Sequence, residues 1–195
     1  MIKANYIDFA YQFWNLTREA ICEMEKLGNK SMIISDRNRN ETEEESELAF
    51  QEKIKWNDLK VGVPILYNFY HGLELFMKGL LQEVGKLPTE KNHRLSKYYD
   101  LIDENRVLFT SELIDLLKRF IEENNPFQSF FDDNDGRVDD FYLFLRYPES
   151  RSSTQSYKFK EIRGNEKPGL ERFLEIRQGC IDLRNSFIKW KINVA

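Results

Sequence analysis

Residues 64–81 read PILYNFYHGLELFMKGLL, and this stretch decides the fold. Pro64 suits the first position of a helix, where its missing N–H costs nothing, and Gly85 is a good helix terminator. We therefore predict an amphipathic helix from Pro64 to Gly85, preceded by a connector at 58–62. Its apolar residues recur at alternating steps of four and three, which places on one buried face Leu66, Tyr70, Leu73, Met77, Leu80 and Val84.

The composition is typical of a single helical domain. The chain has 195 residues, of which 41% are hydrophobic and 14% aromatic, enough for a sizeable core. A charged fraction of 32% with only five prolines and nine glycines favours helix. No Pro-, Gly- or Ser-rich linker divides the chain. We predict a mainly all-α fold over residues 1–195, an up-and-down bundle of four to five helices.

The two ends of the chain each predict a long helix. The first runs from Asn5 to Leu27, and its apolar steps of four and three predict a core face made of Phe9, Phe13, Leu16, Ala20, Met24 and Leu27. The last begins near Pro168, and a seven-residue repeat predicts a seam that packs along a neighbouring helix, with Phe173, Ile176, Cys180, Leu183, Phe187, Trp190 and Val194. That neighbour lies either in the same chain or in a second subunit.

Between the long helices the sequence predicts three further helices and two irregular regions. Residues 29–47 form a polar loop leading into a short acidic helix around 43–56, and a helix begins near Lys91. Another opens at Thr110 or Ser111. Residues 127–163 are predicted to be an irregular insertion. The aromatic run 142–147 and the alternating run 157–162 predict a short β-hairpin insertion near 140–162.

Several function classes are excluded or disfavoured. A net charge of -4 argues against strong nonspecific nucleic-acid affinity, although residues 151–195 hold ten Lys and Arg against five Asp and Glu. That excess permits a basic face or is simply a solvated helix surface. Cys22 and Cys180 match no metal-ligand or redox spacing, so we expect reduced thiols, no metal and no cofactor. No apolar run approaches the roughly 18 residues of a membrane span, so we expect a cytoplasmic protein without membrane contact.

The polar residues of the 64–95 stretch are the candidates for chemistry. Glu74 and Lys78 are spaced to form an ion pair, either at a groove between helices or as an ordinary surface pair. His71 precedes Glu74 by three residues, which places its imidazole near the carboxylate. His93, followed by Arg94, lies at a predicted helix start, where it caps the helix, bonds a neighbouring helix or acts in catalysis.

These residues resemble the HEPN superfamily, small helical domains of prokaryotic defence and toxin systems. The helix segment 72–81 is similar to the family's Glu-Leu-x-x-Lys-x-Leu-Leu helix, and His93-Arg94-Leu95 is similar to its His-Asp-Leu step. The segment 145–148, Leu-Arg-Tyr-Pro, resembles an Arg-Tyr-Pro segment of some members. The ribonuclease members carry an Arg-x4-6-His motif, which this sequence lacks.

The resemblance implies a helical bundle, often a homodimer, that contacts RNA or a partner protein such as a nucleotidyltransferase. It also suggests one cluster of Glu74, Lys78, His93 and Arg146, in which Arg146 holds a phosphate or pairs with Glu74. Tyr147 then stacks on a base or fills the core. We expect a non-catalytic binding or regulatory protein, in which His93 bonds a backbone carbonyl. The alternative is a metal-independent ribonuclease that uses His93, Arg146 and Lys78.

Overall fold

The computed structural model describes residues 5–30, 42–90, 92–122, 124–150, 155–163 and 166–194. Within these ranges it contains helices and no β-strand, which confirms the all-α prediction. Short 3₁₀ turns lie at Arg106–Leu108 and Val138–Asp140. The helices are α1 (Tyr6–Lys26), α2 (Glu43–Ile54), α3 (Asp58–Glu83), α4 (Leu95–Glu104), α5 (Ser111–Ile121), α6 (Gln128–Asp133), α7 (Phe141–Phe144) and α8 (Glu166–Val194). The described residues therefore contain more helices than the four or five predicted for the bundle. The others are α2, which was predicted as a separate short helix, and the short helices α6 and α7, which were not predicted.

Helix α3 is the centre of the bundle. It packs against α1, α4, α7 and α8, and α5 packs against α4 and α8. The predicted apolar stripe of α3 is confirmed, because Leu66, Tyr70, Leu73, Met77 and Leu80 have no exposed surface. Only Val84, at the end of the stripe, is partly buried.

Helix α3 begins earlier than predicted. Its N-cap is Asn57, whose side-chain oxygen accepts a hydrogen bond from the backbone N–H of Lys60 at 3.0 Å, and Asp58 lies in the first turn. Pro64 is therefore inside the helix, and the predicted connector at 58–62 is wrong. The cap and the first-turn carboxylate favour helix strongly enough to outweigh the single helical hydrogen bond that Pro64 cannot form.

Glycines allow α1 to approach α3 closely. A Cβ atom on Gly72 would lie 2.5 Å from Nε1 of Trp14, and one on Gly79 would lie 2.5 Å from Cδ1 of Ile7. The indole N–H of Trp14 donates to the carbonyl of Phe69 at 3.2 Å, so the buried ring has its hydrogen bond satisfied by α3 itself. The close contact of these two helices therefore depends on missing side chains at two positions one heptad apart.

The predicted core face of α1 is partly wrong. Phe9 and Leu16 are 56% and 58% exposed, whereas Ala20 and Met24 are buried as predicted. Two overlapping apolar stripes run along this helix. The stripe that packs on α3 is the one whose residues fit beside Gly72 and Gly79, where α3 lacks side chains. The buried residues of α1 are Ile7, Ala10, Trp14, Thr17, Ala20, Ile21 and Met24.

The predicted seam of α8 packs within the same chain. Six of its residues are buried, namely Phe173, Ile176, Cys180, Leu183, Phe187 and Trp190. Helix α8 contacts α1, α3 and α5, and the indole N–H of Trp190 donates to the carbonyl of Leu108 at 2.8 Å. The neighbours of these six residues, which the repeat left open, are therefore intramolecular.

The acidic helix after the polar loop forms as predicted. Helix α2 begins with a capping box in which the Thr42 hydroxyl accepts from the N–H of Glu45, and the Glu45 carboxylate accepts from the N–H of Thr42. Of this helix, only Ile54 is buried. Residues 31–41 of the predicted loop lie outside the described residues.

The predicted hairpin is reduced to a single antiparallel bridge. Residues 142–144 belong to α7, and the only pairing found in the described part of the 140–162 region joins Glu149 and Ser156. The backbone N–H of Tyr157 donates to the carbonyl of Pro148 at 3.0 Å. Residues 151–154 lie outside the described ranges. The run is helical because Phe141 and Phe144, spaced by three, are both buried against the bundle.

The two cysteines occupy helices that pack on each other. Cys22 on α1 is partly buried, Cys180 on α8 is buried, and both are free thiols. Burial raises the pKa of Cys180, so the thiol stays protonated at neutral pH and behaves as a small core residue. Over the described ranges, no helix combines the length and hydrophobicity that a bilayer crossing requires.

We predict that Gly72→Ala destabilises the protein, although alanine favours helix over glycine by about 1 kcal/mol. The new methyl group would meet the Trp14 ring at 2.5 Å, and forcing the ring aside is expected to cost about 2 kcal/mol net. Urea unfolding followed by circular dichroism measures the change.

The matched control is Asn15→Ala, on the exposed side of α1 next to Trp14. It changes helix propensity without adding atoms to the contact, so it should leave stability unchanged or slightly higher. A Gly72→Ala variant as stable as the wild type would contradict the close contact of α1 with α3.

Candidate functional site

A buried carboxylate joins α3 to the loop that precedes α4. Glu74 is 1% exposed, and its Oε1 accepts hydrogen bonds from Nζ of Lys78, one helical turn later, and from Nδ1 of His93 at 3.1 Å. Such burial distinguishes Glu74 and Lys78 from an ordinary surface pair. The structure therefore places this pair between helices, which was the first of the two alternatives left open by the sequence.

The second oxygen of the same carboxylate has no hydrogen-bond partner among the described residues. Nδ1 of His71 lies 3.7 Å from Oε2 of Glu74, too far for a hydrogen bond. Aromatic rings hold His71 in place, with Phe13 meeting it edge-on at 4.6 Å and Tyr67 stacked at 5.8 Å between ring centroids. His71 therefore lies beside Glu74 as predicted, but through an electrostatic contact.

The electrostatics of the pair keep both groups charged. Burial acts to raise the pKa of Glu74, but His71, Lys78 and His93 together outweigh it and lower that pKa below its ordinary value. Burial acts to lower the pKa of Lys78, and the Glu74 carboxylate more than reverses this, so the pKa of Lys78 is raised. Nζ of Lys78 also lies 5.1 Å from the ring centroid of Tyr98. At neutral pH this is a buried ion pair.

The hydrogen bond to Glu74 sets the tautomer of His93. A carboxylate only accepts hydrogen bonds, so Nδ1 carries the proton and donates it. The side chain is 55% exposed, and within the described ranges no residue bonds to Nε2. The hydroxyl of Tyr98 donates to the carbonyl of Asn92 at 2.7 Å, which fixes the loop before His93. His93 thus presents a positioned ring whose second nitrogen faces outward.

The exposed side of His93 continues into a stack of flat side chains. The His93 ring stacks on Tyr142 with 4.8 Å between centroids and 12° between planes. The guanidinium of Arg146 donates to the Tyr142 hydroxyl and lies 4.6 Å from the Tyr142 ring and 5.3 Å from the Tyr147 ring. Tyr147 is 46% exposed. We call His93, Tyr142, Arg146 and Tyr147 the stacked face.

Two expected contacts differ in the structure. Arg146 bonds to Tyr142 and not to Glu74, and His93 bonds to Glu74 and not to a backbone carbonyl. The helical turn at α7 brings Tyr142, four residues earlier in the chain, within hydrogen-bond reach of the Arg146 guanidinium. Arg94 is exposed, its backbone N–H donates to Oδ1 of Asn92, and no bond links its guanidinium to Glu74 in the described part of the chain.

The sequence interpretation did not select Tyr67, Tyr98 and Tyr142 as part of the site. Tyr67 precedes His71 by one helical turn, so its spacing was a usable signal. Burial raises the pKa of Tyr67, and Arg146 lowers it in part. Tyr142 was assigned to a β-strand, in which Arg146 would lie on the same face but about 13 Å away along the strand. The error in local structure therefore concealed the residue that links the two halves of the cluster.

The cluster is also the place to consider a metal ion. Its potential ligands are Glu74, His71 and His93, but Lys78 donates to the same carboxylate oxygen as His93. Over the described residues, no group of three or more His, Cys, Asp or Glu side chains has the arrangement of a metal site. The ammonium of Lys78 occupies the position next to Oε1 that a cation would need.

Comparisons with protein-family models, with curated proteins and with solved structures found no match to this chain. The chemistry of the site therefore follows from its geometry. A buried carboxylate orients a half-exposed imidazole, and that imidazole begins a surface of stacked rings with one guanidinium. This arrangement suits a ligand that offers both flat rings and negative charge.

We predict that Lys78→Met destabilises the protein by about 3 kcal/mol at pH 7, because Glu74 then keeps a buried charge without its main counter-ion. Adding Glu74→Gln should recover much of the loss, although Glu74→Gln alone is destabilising. The pKa of Glu74 is lower in the folded state, so the ion pair stabilises the protein above the unfolded pKa of about 4.3 and is lost as pH falls through the folded pKa. Urea unfolding of the four proteins between pH 7 and pH 3 measures both effects.

Lys26→Met is the matched control, because Lys26 pairs with Glu23 at 2.6 Å on the exposed surface of α1. This substitution should have no measurable effect at either pH. Equal losses from Lys78→Met and Lys26→Met would contradict a buried ion pair at Glu74.

Proposed function

We propose that this chain is a HEPN-like binding or regulatory protein in a prokaryotic nucleic-acid or defence context, and that the stacked face binds single-stranded RNA. The observation that carries the proposal is the continuous stack from His93 through Tyr142 to Arg146 and Tyr147. Its members come from the loop before α4, from α7 and from the segment that follows α7.

Single-stranded RNA matches the stacked face in shape and charge. Unpaired bases stack on aromatic rings and on the planes of arginine and histidine, and each such contact contributes about 1–3 kcal/mol of binding. The guanidinium of Arg146 provides donors for a phosphate beside those rings. Because Glu74 fixes His93 and Arg146 lies against two rings, little side-chain order has to be gained on binding.

The overall charge favours a short and selective contact. The net charge is -4, so the long-range field does not attract RNA to the molecule as a whole. The stacked face contributes one permanent cation, Arg146. Stacking should therefore carry more of the affinity than counterion release, and the salt dependence should be shallow, with a slope of about -0.7 for each phosphate contacted.

The family resemblance supports the same site. Three positions that match its motifs, Glu74, Lys78 and His93, come together around one carboxylate. The missing Arg-x4-6-His motif favours a binding role over catalysis. The proposal includes the homodimer, or the complex with a nucleotidyltransferase, that the resemblance implies. The exposed Phe9 and Leu16 on α1 supply apolar surface for such a contact.

We predict that Tyr147→Ala and Arg146→Ala each weaken binding of a short unstructured RNA by about tenfold, because each removes one stacking or phosphate contact. Fluorescence anisotropy with a labelled RNA at low salt measures the dissociation constants.

Arg106→Ala is the control, since Arg106 is an equally exposed arginine at the opposite end of α4 from His93. It should bind RNA like the wild type. If Arg106→Ala loses as much affinity as Arg146→Ala while Tyr147→Ala binds like the wild type, the contact is a general charge effect and the proposed face is wrong. If the wild type binds no RNA, the proposal is also wrong.

A metal-independent ribonuclease is the second candidate, and the orientation of His93 favours it. With Nδ1 donating to Glu74, Nε2 is placed to take the proton of a ribose 2′-hydroxyl as that oxygen attacks the adjacent phosphorus and the 5′ oxygen leaves. Arg146 would stabilise the charge on the phosphate. Lys78 is bonded to Glu74, so its role would be to hold that carboxylate in place and thereby to orient His93.

This candidate predicts RNA cleavage in the presence of a metal chelator, with His93→Ala lowering the rate by at least about a hundredfold. Gel analysis of the same RNA, incubated with wild type, His93→Ala and Arg106→Ala, measures it. Cleavage that persists in His93→Ala, or that never appears, would remove the enzyme and leave the binding role.

A further inference from the structure

A cavity of about 340 Å³ adjoins the stacked face. Tyr142 and Tyr147 line both. The other lining residues are Leu143, Pro148 and Tyr157, which are mainly apolar, and Glu149 and Ser150, which are polar. This volume lies within the range of about 300–1,000 Å³ that is usual for small-molecule sites. The cavity is therefore large enough for one planar ring system and is directly continuous with the surface proposed to bind RNA.

Backbone hydrogen bonds and ring packing hold the walls of the cavity. The N–H of Tyr157 donates to the carbonyl of Pro148 at 3.0 Å, which sets Tyr157 opposite the 147–148 segment. The ring of Tyr157 packs on Phe144 with 4.6 Å between centroids, and Phe144 meets Phe130 of α6 at 6.2 Å. Tyr157 is thus anchored to the bundle from behind, and its position does not depend on a ligand.

We propose that this cavity is a subsite for one unstacked nucleobase of the RNA strand, whose backbone phosphate lies against Arg146. The inference rests on the proposed function and goes further, because it assigns a particular part of the strand to a particular part of the protein. Three tyrosine rings supply faces for the base, and base stacking on aromatic rings tolerates all four bases. The subsite therefore selects for an unpaired nucleotide and not for a sequence.

The position of the cation favours a nucleotide over other ligands of this size. The Arg146 guanidinium lies within 5.3 Å of the centroids of two lining rings, Tyr142 and Tyr147. A ligand that uses both features must be flat and must carry a negative charge close to its ring. A nucleotide meets both conditions, whereas an aliphatic chain leaves the cation unused.

Three labelled strands of equal length test the subsite, one with all its bases, one fully abasic, and one abasic except for a single 2-aminopurine. The single base should raise affinity over the fully abasic strand by about tenfold. Its fluorescence should be quenched on binding, because the base stacks on tyrosine. Equal affinity of the two abasic strands, or unquenched fluorescence, would overturn the subsite.

Tyr157→Leu separates the subsite from the rest of the face. Leucine keeps apolar contact with Phe144 but removes the aromatic wall, so the single-base advantage should fall to near onefold while the fully abasic strand binds as before. Tyr157→Phe should retain the advantage. If RNA binds and Arg146→Ala weakens it, but Tyr157→Leu keeps the full advantage, the subsite is wrong and the proposed function stands. If no strand binds the wild type, both are wrong.

Discussion

The close approach of α1 to α3 at Gly72 and Gly79 sets the position of what packs on either helix. Two missing side chains let Trp14 and Ile7 occupy the surface of α3, and the indole of Trp14 bonds to the α3 backbone. With α1 on one side and α4, α7 and α8 around it, α3 is enclosed along most of its length. A polar side chain on this helix must therefore find its partners inside the bundle.

Glu74 is such a polar side chain of α3. Its buried carboxylate is stabilised by Lys78 of the same helix and by His93 from the loop before α4. Without these partners the burial of this charge would be costly, and the bond to His93 connects α3 to the loop before α4. The same bond orients the His93 ring, and Tyr142 stacks on it from the segment after α6. A requirement of the core thus helps to position a surface, together with the bonds of Tyr98 to Asn92 and of Arg146 to Tyr142.

Much of this architecture follows from periodicity, and the parts that do not follow have physical reasons. The α3 stripe and the α8 seam are predictable because each helix has one dominant apolar face. The buried face of α1 is not predictable in this way, because the helix carries two apolar stripes. Which stripe is buried depends on Gly72 and Gly79 of α3, a helix distant in sequence. At the start of α3, the cap at Asn57 favours the helix more strongly than Pro64 disfavours it. The contact of Glu74 with Lys78 follows from helical spacing. The contacts of His93, Tyr142 and Arg146 depend on the helical turn at α7, where a short aromatic run had favoured a strand.

The placement of α8 has a consequence for the chain as it is made. This helix is the last of those described here to be synthesised, yet it supplies Phe173, Leu183 and Trp190 to a core shared with α1, α3 and α5. Those earlier helices leave the ribosome with part of their apolar surface uncovered, and they remain so until α8 emerges. A nascent chain of this kind is a natural client for chaperones. The yield of native protein will therefore depend on the pace of translation as well as on the stability of the finished fold.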